Sequence, residues 1–167
     1  LNNILTCNSA INTLTGLTGN DTYFITSGDI VNEAAGAGTD TVKAGFSYTL
    51  GTNVENLTLT GTGAINGTGN GLVNLLIGNA SANILAGGLG NDTMLGGAGD
   101  DTYVVDATLD RVFETTTTTS GIDAGGIDTI RSSVTLSLGA YAGVSFVERL
   151  TLTGTANING TGNALDN

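Results

Sequence analysis

Residues 87–104 read GGLGNDTML (87–95) and GGAGDDTYV (96–104). The two nonapeptides run in frame without a gap. Each has glycine at positions 1, 2 and 4, aspartate at position 6, and a large residue, Met94 or Tyr103, at position 8. Upstream, GNGLVNLLI (69–77) and GNASANILA (78–86) keep the leading glycine and the apolar eighth residue, but carry Asn74 and Asn83 at position 6. Downstream, VDATLDRVF (105–113) keeps Asp110 and Val112. The same register returns in CNSAINTLT (7–15), GLTGNDTYF (16–24) and AGAGTDTVK (35–43), and more weakly in DAGGIDTIR (123–131). These copies put Asp21, Asp40 and Asp128 at the acidic position.

A longer period overlies the short one. The stretch NDTYFI…GDIVNEAAGAGTDTV (20–42) returns as DDTYVV…LDRVFE…GGIDTI (100–130). Likewise NVENLTLTGTGAINGTGN (53–70) returns as FVERLTLTGTANINGTGN (146–163). Two long repeats, about 16–77 and 96–167, therefore make residues 1–167 one continuous repeat domain. The second copy is the longer, and its Thr115–Ser120 run is expected to be a surface loop.

Glycine admits backbone angles that other residues avoid, so positions 1–6 read as a tight turn. Positions 7–9 are short and β-prone, and alternation along a strand sends position 8 inward. Turn–strand–turn–strand closes one coil in 18 residues, and stacked coils place parallel strands about 4.8 Å apart. The fold expected is all-β, a right-handed parallel β-roll or β-solenoid of roughly nine coils. Residues one coil apart then share an edge. Asp92 and Asp110 are 18 apart, and Asp21 and Asp40 are 19 apart. Asp101 and Asp128 are 27 apart, but the longer second copy inserts about seven residues between them. Two carboxylates one coil apart repel by roughly 3–4 kcal/mol at an effective dielectric near 20. A hard divalent cation between the turns reverses that sign. Ca²⁺ suits the site better than Mg²⁺, because it takes six to eight oxygens in flexible geometry.

Composition narrows the function. Of 167 residues 11% are charged, with 15 acids against 4 bases and a net charge of −11. Such a chain repels phosphates, so no nucleic-acid partner is expected. With no histidine, the usual general base and the His-based triads are missing, and no catalytic constellation is visible. One cysteine forms no internal disulfide. No apolar run approaches the length of a membrane span, and no classical signal peptide is visible.

The in-frame doublet resembles the RTX (repeats-in-toxin, hemolysin-type) family of secreted calcium-binding proteins, whose nonapeptide is GGxGxDxUx. The resemblance implies several Ca²⁺ ions held between stacked turns by position-6 aspartates and turn carbonyls. Carried over residue by residue, the ligands are Asp92 and Asp101, then Asp21, Asp40, Asp110 and Asp128, with carbonyls from the turns of Gly88, Gly90, Gly97 and Gly99. Asn74 and Asn83 either ligate through amide oxygens or form a metal-free ladder. Glu33, Glu55, Glu114 and Glu148 read as solvated edge residues. The resemblance also implies export from a bacterium by a type I apparatus, to the outside or to the cell surface.

The expected function is a non-catalytic extracellular structural element of a fibre, surface layer or adhesin. Leu1-Asn2-Asn3 and Leu165-Asp166-Asn167 fall at the same repeat positions without a polar cap. The chain is therefore expected either to be cut from a longer array or to stack head to tail on copies of itself. The alternative is a calcium-dependent folding and secretion module of a secreted hydrolase or toxin. A further alternative, an ice-binding protein, rests on Thr58, Thr60 and Thr62, and on Thr151, Thr153 and Thr155, sharing a strand face.

Overall fold

Short β-prone segments between glycine turns form the coils that the nine-residue period requires. The computed structural model describes residues 1–115, 117–119, 122–139 and 146–167. These hold seventeen strands and no helix. They are β1 (Ile4–Thr6), β2 (Thr13–Leu14), β3 (Thr22–Ile25), β4 (Ile30–Val31), β5 (Thr41–Ala44), β6 (Tyr48–Thr49), β7 (Asn56–Leu59) and β8 (Gly67–Thr68). There follow β9 (Leu75–Ile77), β10 (Ile84–Ala86), β11 (Thr93–Leu95), β12 (Thr102–Val105), β13 (Arg111–Phe113), β14 (Thr129–Ser132), β15 (Leu136–Ser137), β16 (Arg149–Leu152) and β17 (Gly160–Thr161).

Odd and even strands build opposite faces. Strands β1 to β13, odd members only, form a seven-stranded sheet in chain order, and β6 to β16, even members only, form a six-stranded one. The pairs β2–β4 and β15–β17 are also parallel. The result is a β-solenoid of about 8 turns. Around the consensus repeats the register advances by one 18-residue coil, as in Leu75↔Thr93, Thr93↔Arg111 and Ile84↔Thr102. Where the second copy is longer, Thr102 pairs with Thr129, so the loop is absorbed between strands without shifting the inward set.

Position 8 does point inward. Tyr23, Val42, Leu57, Leu76, Met94 and Val112 stack in one sheet, and Leu85, Tyr103 and Ile130 in the other, all fully buried. Each coil contributes one or two such side chains, so the core is a thin continuous column rather than a globule.

Two expectations change. Thr115 is buried, so the threonine run leaves the body only beyond it; Thr117–Thr119 are exposed, and Thr116 and Ser120 lie outside the described residues. The threonine pairs do not make a flat face either. Strand β7 ends at Leu59 and β16 at Leu152, and glycines 61 and 154 turn the chain immediately after Thr60 and Thr153. Only Thr58 and Thr151 of the six threonines lie within a strand.

Candidate metal centre

The turns of residues 87–104 show why each glycine is needed. Gly88 and Gly90 have φ of 86° and 141°, and Gly97 and Gly99 have φ of 89° and 111°, a region costly to residues with a Cβ. Gly87 and Gly96, at position 1, have no such angle and serve a different need. A Cβ on Gly87 would run into Asp92 Oδ2, and one on Gly96 into Asp101 Oδ2 and the Tyr103 hydroxyl. Position 1 is left bare because the position-6 carboxylate folds back over it.

That carboxylate links the coils. Its Oδ1 accepts the backbone N–H of the residue one coil earlier: Asn3 to Asp21 at 2.6 Å, Asp21 to Asp40 at 2.7 Å, Asn74 to Asp92 at 2.8 Å and Asp92 to Asp110 at 2.9 Å. On the other flank Asn83 donates to Asp101 and Asp101 to Asp128, both at 2.7 Å. The structure therefore brings together the three expected pairs, including the 27-residue one. Glu55 and Glu148 continue the two ladders, accepting from Asp40 and Asp128 at 2.8 Å each. Both are half-buried rungs rather than solvated edges.

The second oxygen is the informative one. Asp21, Asp40, Asp92, Asp101 and Asp128 are all buried, and the Oδ2 of each has no hydrogen-bond partner. An unpaired buried carboxylate oxygen is costly. No lysine or arginine offsets this charge among the described residues. Burial accordingly pushes Asp92 up to about 6 and Asp101 up to about 7, and raises Asp40 and Asp128 as well. Asp29 is the contrast. Its Oδ1 accepts from Asn12 N–H and its Oδ2 from Thr26 N–H and hydroxyl. The Cys7 thiol and these donors pull it down to about 2. Asp110 also uses both oxygens, with Oδ2 accepting from Asp106 and Ala107 N–H at 3.1 Å. Of the six expected aspartate ligands, Asp110 is thus the one with no idle oxygen.

The asparagine turns need no ion. Asn74 Nδ2 donates to the carbonyls of Val54 and Glu55, and Asn83 Nδ2 to that of Ile65 at 2.6 Å. Asn70 and Asn79 brace the same turns through their own amides. Where aspartate leaves an oxygen idle, asparagine supplies a donor.

Glu33 and Glu114 overturn the solvated-edge reading. They are 6% and 0% exposed. Each opens the turn that its partner aspartate closes, and one oxygen each from Asp21, Glu33 and Asp40 lie within 4.8 Å of one another. Asp101, Glu114 and Asp128 repeat the arrangement on the opposite flank. The Tyr23 hydroxyl donates to Glu33 Oε1 and the Tyr103 hydroxyl to Glu114 Oε1. Burial raises both glutamates, aided by the neighbouring aspartates. The glutamates fall outside the nonapeptide register, so the repeat pattern hides them. The signal was the tyrosine: at an inward slot held elsewhere by Leu, Met, Val or Ile, its hydroxyl demands a buried partner.

Stacked turns lined with idle carboxylate oxygens, beside glycine-turn carbonyls, form an all-oxygen donor set of the kind hard cations take. The molecule is a parallel β-solenoid, consistent with a β-roll, whose turns offer the donors that such a cation takes. More particularly, residues 2–29 and 68–103 match the family model of RTX calcium-binding nonapeptide repeats in four copies, and such repeats imply Ca²⁺. Two curated relatives match part of the chain. Endo-1,3-1,4-beta-glycanase EglC of Rhizobium meliloti (strain 1021) is 42% identical over 67 residues, which is 40% of this chain and 14% of that protein. Endo-1,3-1,4-beta-glycanase ExsH of the same strain is 47% identical over 57 residues, 33% of this chain and 12% of that protein. The chain thus spans only a small part of either relative. No solved structure matches it significantly.

Proposed function

We propose that the chain is a non-catalytic, calcium-folded module of a secreted bacterial protein. The observation that supports this best is the ladder of buried aspartates, each with one oxygen tied to the neighbouring coil and the other idle. Without a cation the like charges of adjacent turns oppose stacking; with one they become ligands. At low cytosolic calcium the chain stays unfolded and exportable. Extracellular calcium, at sites that bind roughly at 10⁻⁴–10⁻³ M, supplies the missing free energy outside. Among the described residues no helix is long and apolar enough to cross a membrane. Circular dichroism with isothermal titration of the whole chain tests the reading. Calcium uptake coupled to a gain of β-structure is expected, and absence of uptake at millimolar calcium would end it.

The glycanase names of the two relatives favour attachment to a secreted hydrolase. A second reading is end-to-end stacking in a fibre, surface layer or adhesin. Sedimentation in calcium separates the readings: growth with concentration supports stacking, and a constant monomer supports the appended module.

A further inference from the structure

We infer that Asp21–Glu33–Asp40 and Asp101–Glu114–Asp128 are two interior three-carboxylate cation sites, in which a glutamate from outside the nonapeptide supplies the third ligand and a core tyrosine aims it. The inference rests on the calcium reading above but assigns ligands that the repeat motif does not contain.

Three observations carry it. First, all six carboxylates are buried, and every one has an oxygen without a hydrogen-bond partner: Oδ2 of the four aspartates and Oε2 of both glutamates. Second, the ligand atoms of each triad lie within 4.8 Å of one another. Oxygens bound to one Ca²⁺ at 2.3–2.6 Å are separated by at most about 5 Å, so one ion can touch all three. Third, the remaining glutamate oxygen is already engaged. Tyr23 donates to Glu33 Oε1, which also accepts Gly16 N–H at 3.2 Å, and Tyr103 donates to Glu114 Oε1. The tyrosine therefore holds Oε1 and leaves Oε2 free to ligate. Each tyrosine is a positioning residue that reaches the ion only through its glutamate.

The Asp92–Asp110 rung supplies the internal control. It has the same ladder bond, but Asp110 spends its second oxygen on its own turn, leaving Asp92 with a single idle oxygen. The long repeat places one triad on each flank, so the two sites hold opposite edges of the solenoid. With all three carboxylates ionised, each triad would bury a charge of about −3 between coils, which a divalent cation offsets.

The test uses the whole chain, which has four tyrosines and no tryptophan. Terbium replaces calcium at oxygen sites and emits when a nearby tyrosine is excited. We expect tyrosine-sensitised emission that calcium displaces, that falls with Tyr23→Phe and with Tyr103→Phe, and that is lost in the double variant. Calcium affinity of this double variant should fall at two sites per chain, since each glutamate loses the hydroxyl that aims it, while uptake at the other turns is kept. Glu33→Gln with Glu114→Gln should weaken calcium about tenfold or more at two sites per chain, because ligand charge sets affinity. Uptake elsewhere should persist. If the wild-type chain takes up no calcium, the functional reading falls with this one. If it does, but the glutamine pair binds as wild type, only the triad assignment is overturned. Should the glutamine pair not fold, the tyrosine variants decide alone: undiminished terbium emission overturns the assignment.

Discussion

Two neighbouring stretches of one solenoid solve the same problem in opposite ways. Residues 69–86 place Asn74 and Asn83 in the turns; residues 87–104 place Asp92 and Asp101 there. Both pairs sit in identical 18-residue registers. The amide nitrogen of each asparagine finds a carbonyl of the preceding coil, whereas each aspartate leaves Oδ2 with nothing. A change of one oxygen for one NH₂ therefore separates a rung that stands by itself from a rung that calls for a cation.

Removing calcium should expose this difference most. With a chelator near neutral pH the aspartate coils lose their compensation, and the strand signal in circular dichroism should largely disappear. A chain that keeps its full spectrum would contradict the role given to Asp92 and Asp101. Next in size is Gly96→Ala. Its methyl would displace both Asp101 Oδ2 and the Tyr103 hydroxyl, and we expect a loss of about 3 kcal/mol in calcium, read from denaturant midpoints.

Asp101→Asn should change sign with conditions. In calcium it removes a ligand and lowers the denaturant midpoint; in chelator near pH 8 it removes a buried charge and returns part of the lost strand signal. A loss of structure in both media would break the comparison. The pH profile in chelator follows the same logic. Folded Asp92 and Asp101 hold protons up to about 6 and about 7, above the unfolded value of 3.8, so they favour the fold below about pH 4. That support is lost as pH rises through their folded values. Without calcium the strand signal should therefore be larger near pH 5 than near pH 8. Smallest is Asn83→Ala, about 1 kcal/mol in calcium for its side-chain hydrogen bonds, with the number of bound ions unchanged because that rung holds none.

The period of nine, the inward eighth residue and the pairing of Asp101 with Asp128 across a loop were all legible, because glycine spacing and apolar alternation act locally. What escaped the repeat pattern depends on three dimensions. Glu33 and Glu114 lie beyond the strand ends in a stretch that reads as turn, and only the closing of the coil carries them against the aspartates. Asp110 shares its motif with Asp92, yet the local path through Asp106 and Ala107 consumes its second oxygen. The threonine arrays failed for a similar reason, since a glycine after Thr60 and after Thr153 ends each strand before an array can extend.

The position-6 carboxylate bonds all run the same way: the N–H of the earlier coil meets the carboxylate of the later one, from Asn3–Asp21 through Asp92–Asp110 on one flank and from Asn83–Asp101 to Asp101–Asp128 on the other. The column therefore has a sense along its axis: removing one carboxylate orphans an N–H in the coil before it and leaves the coil after it untouched.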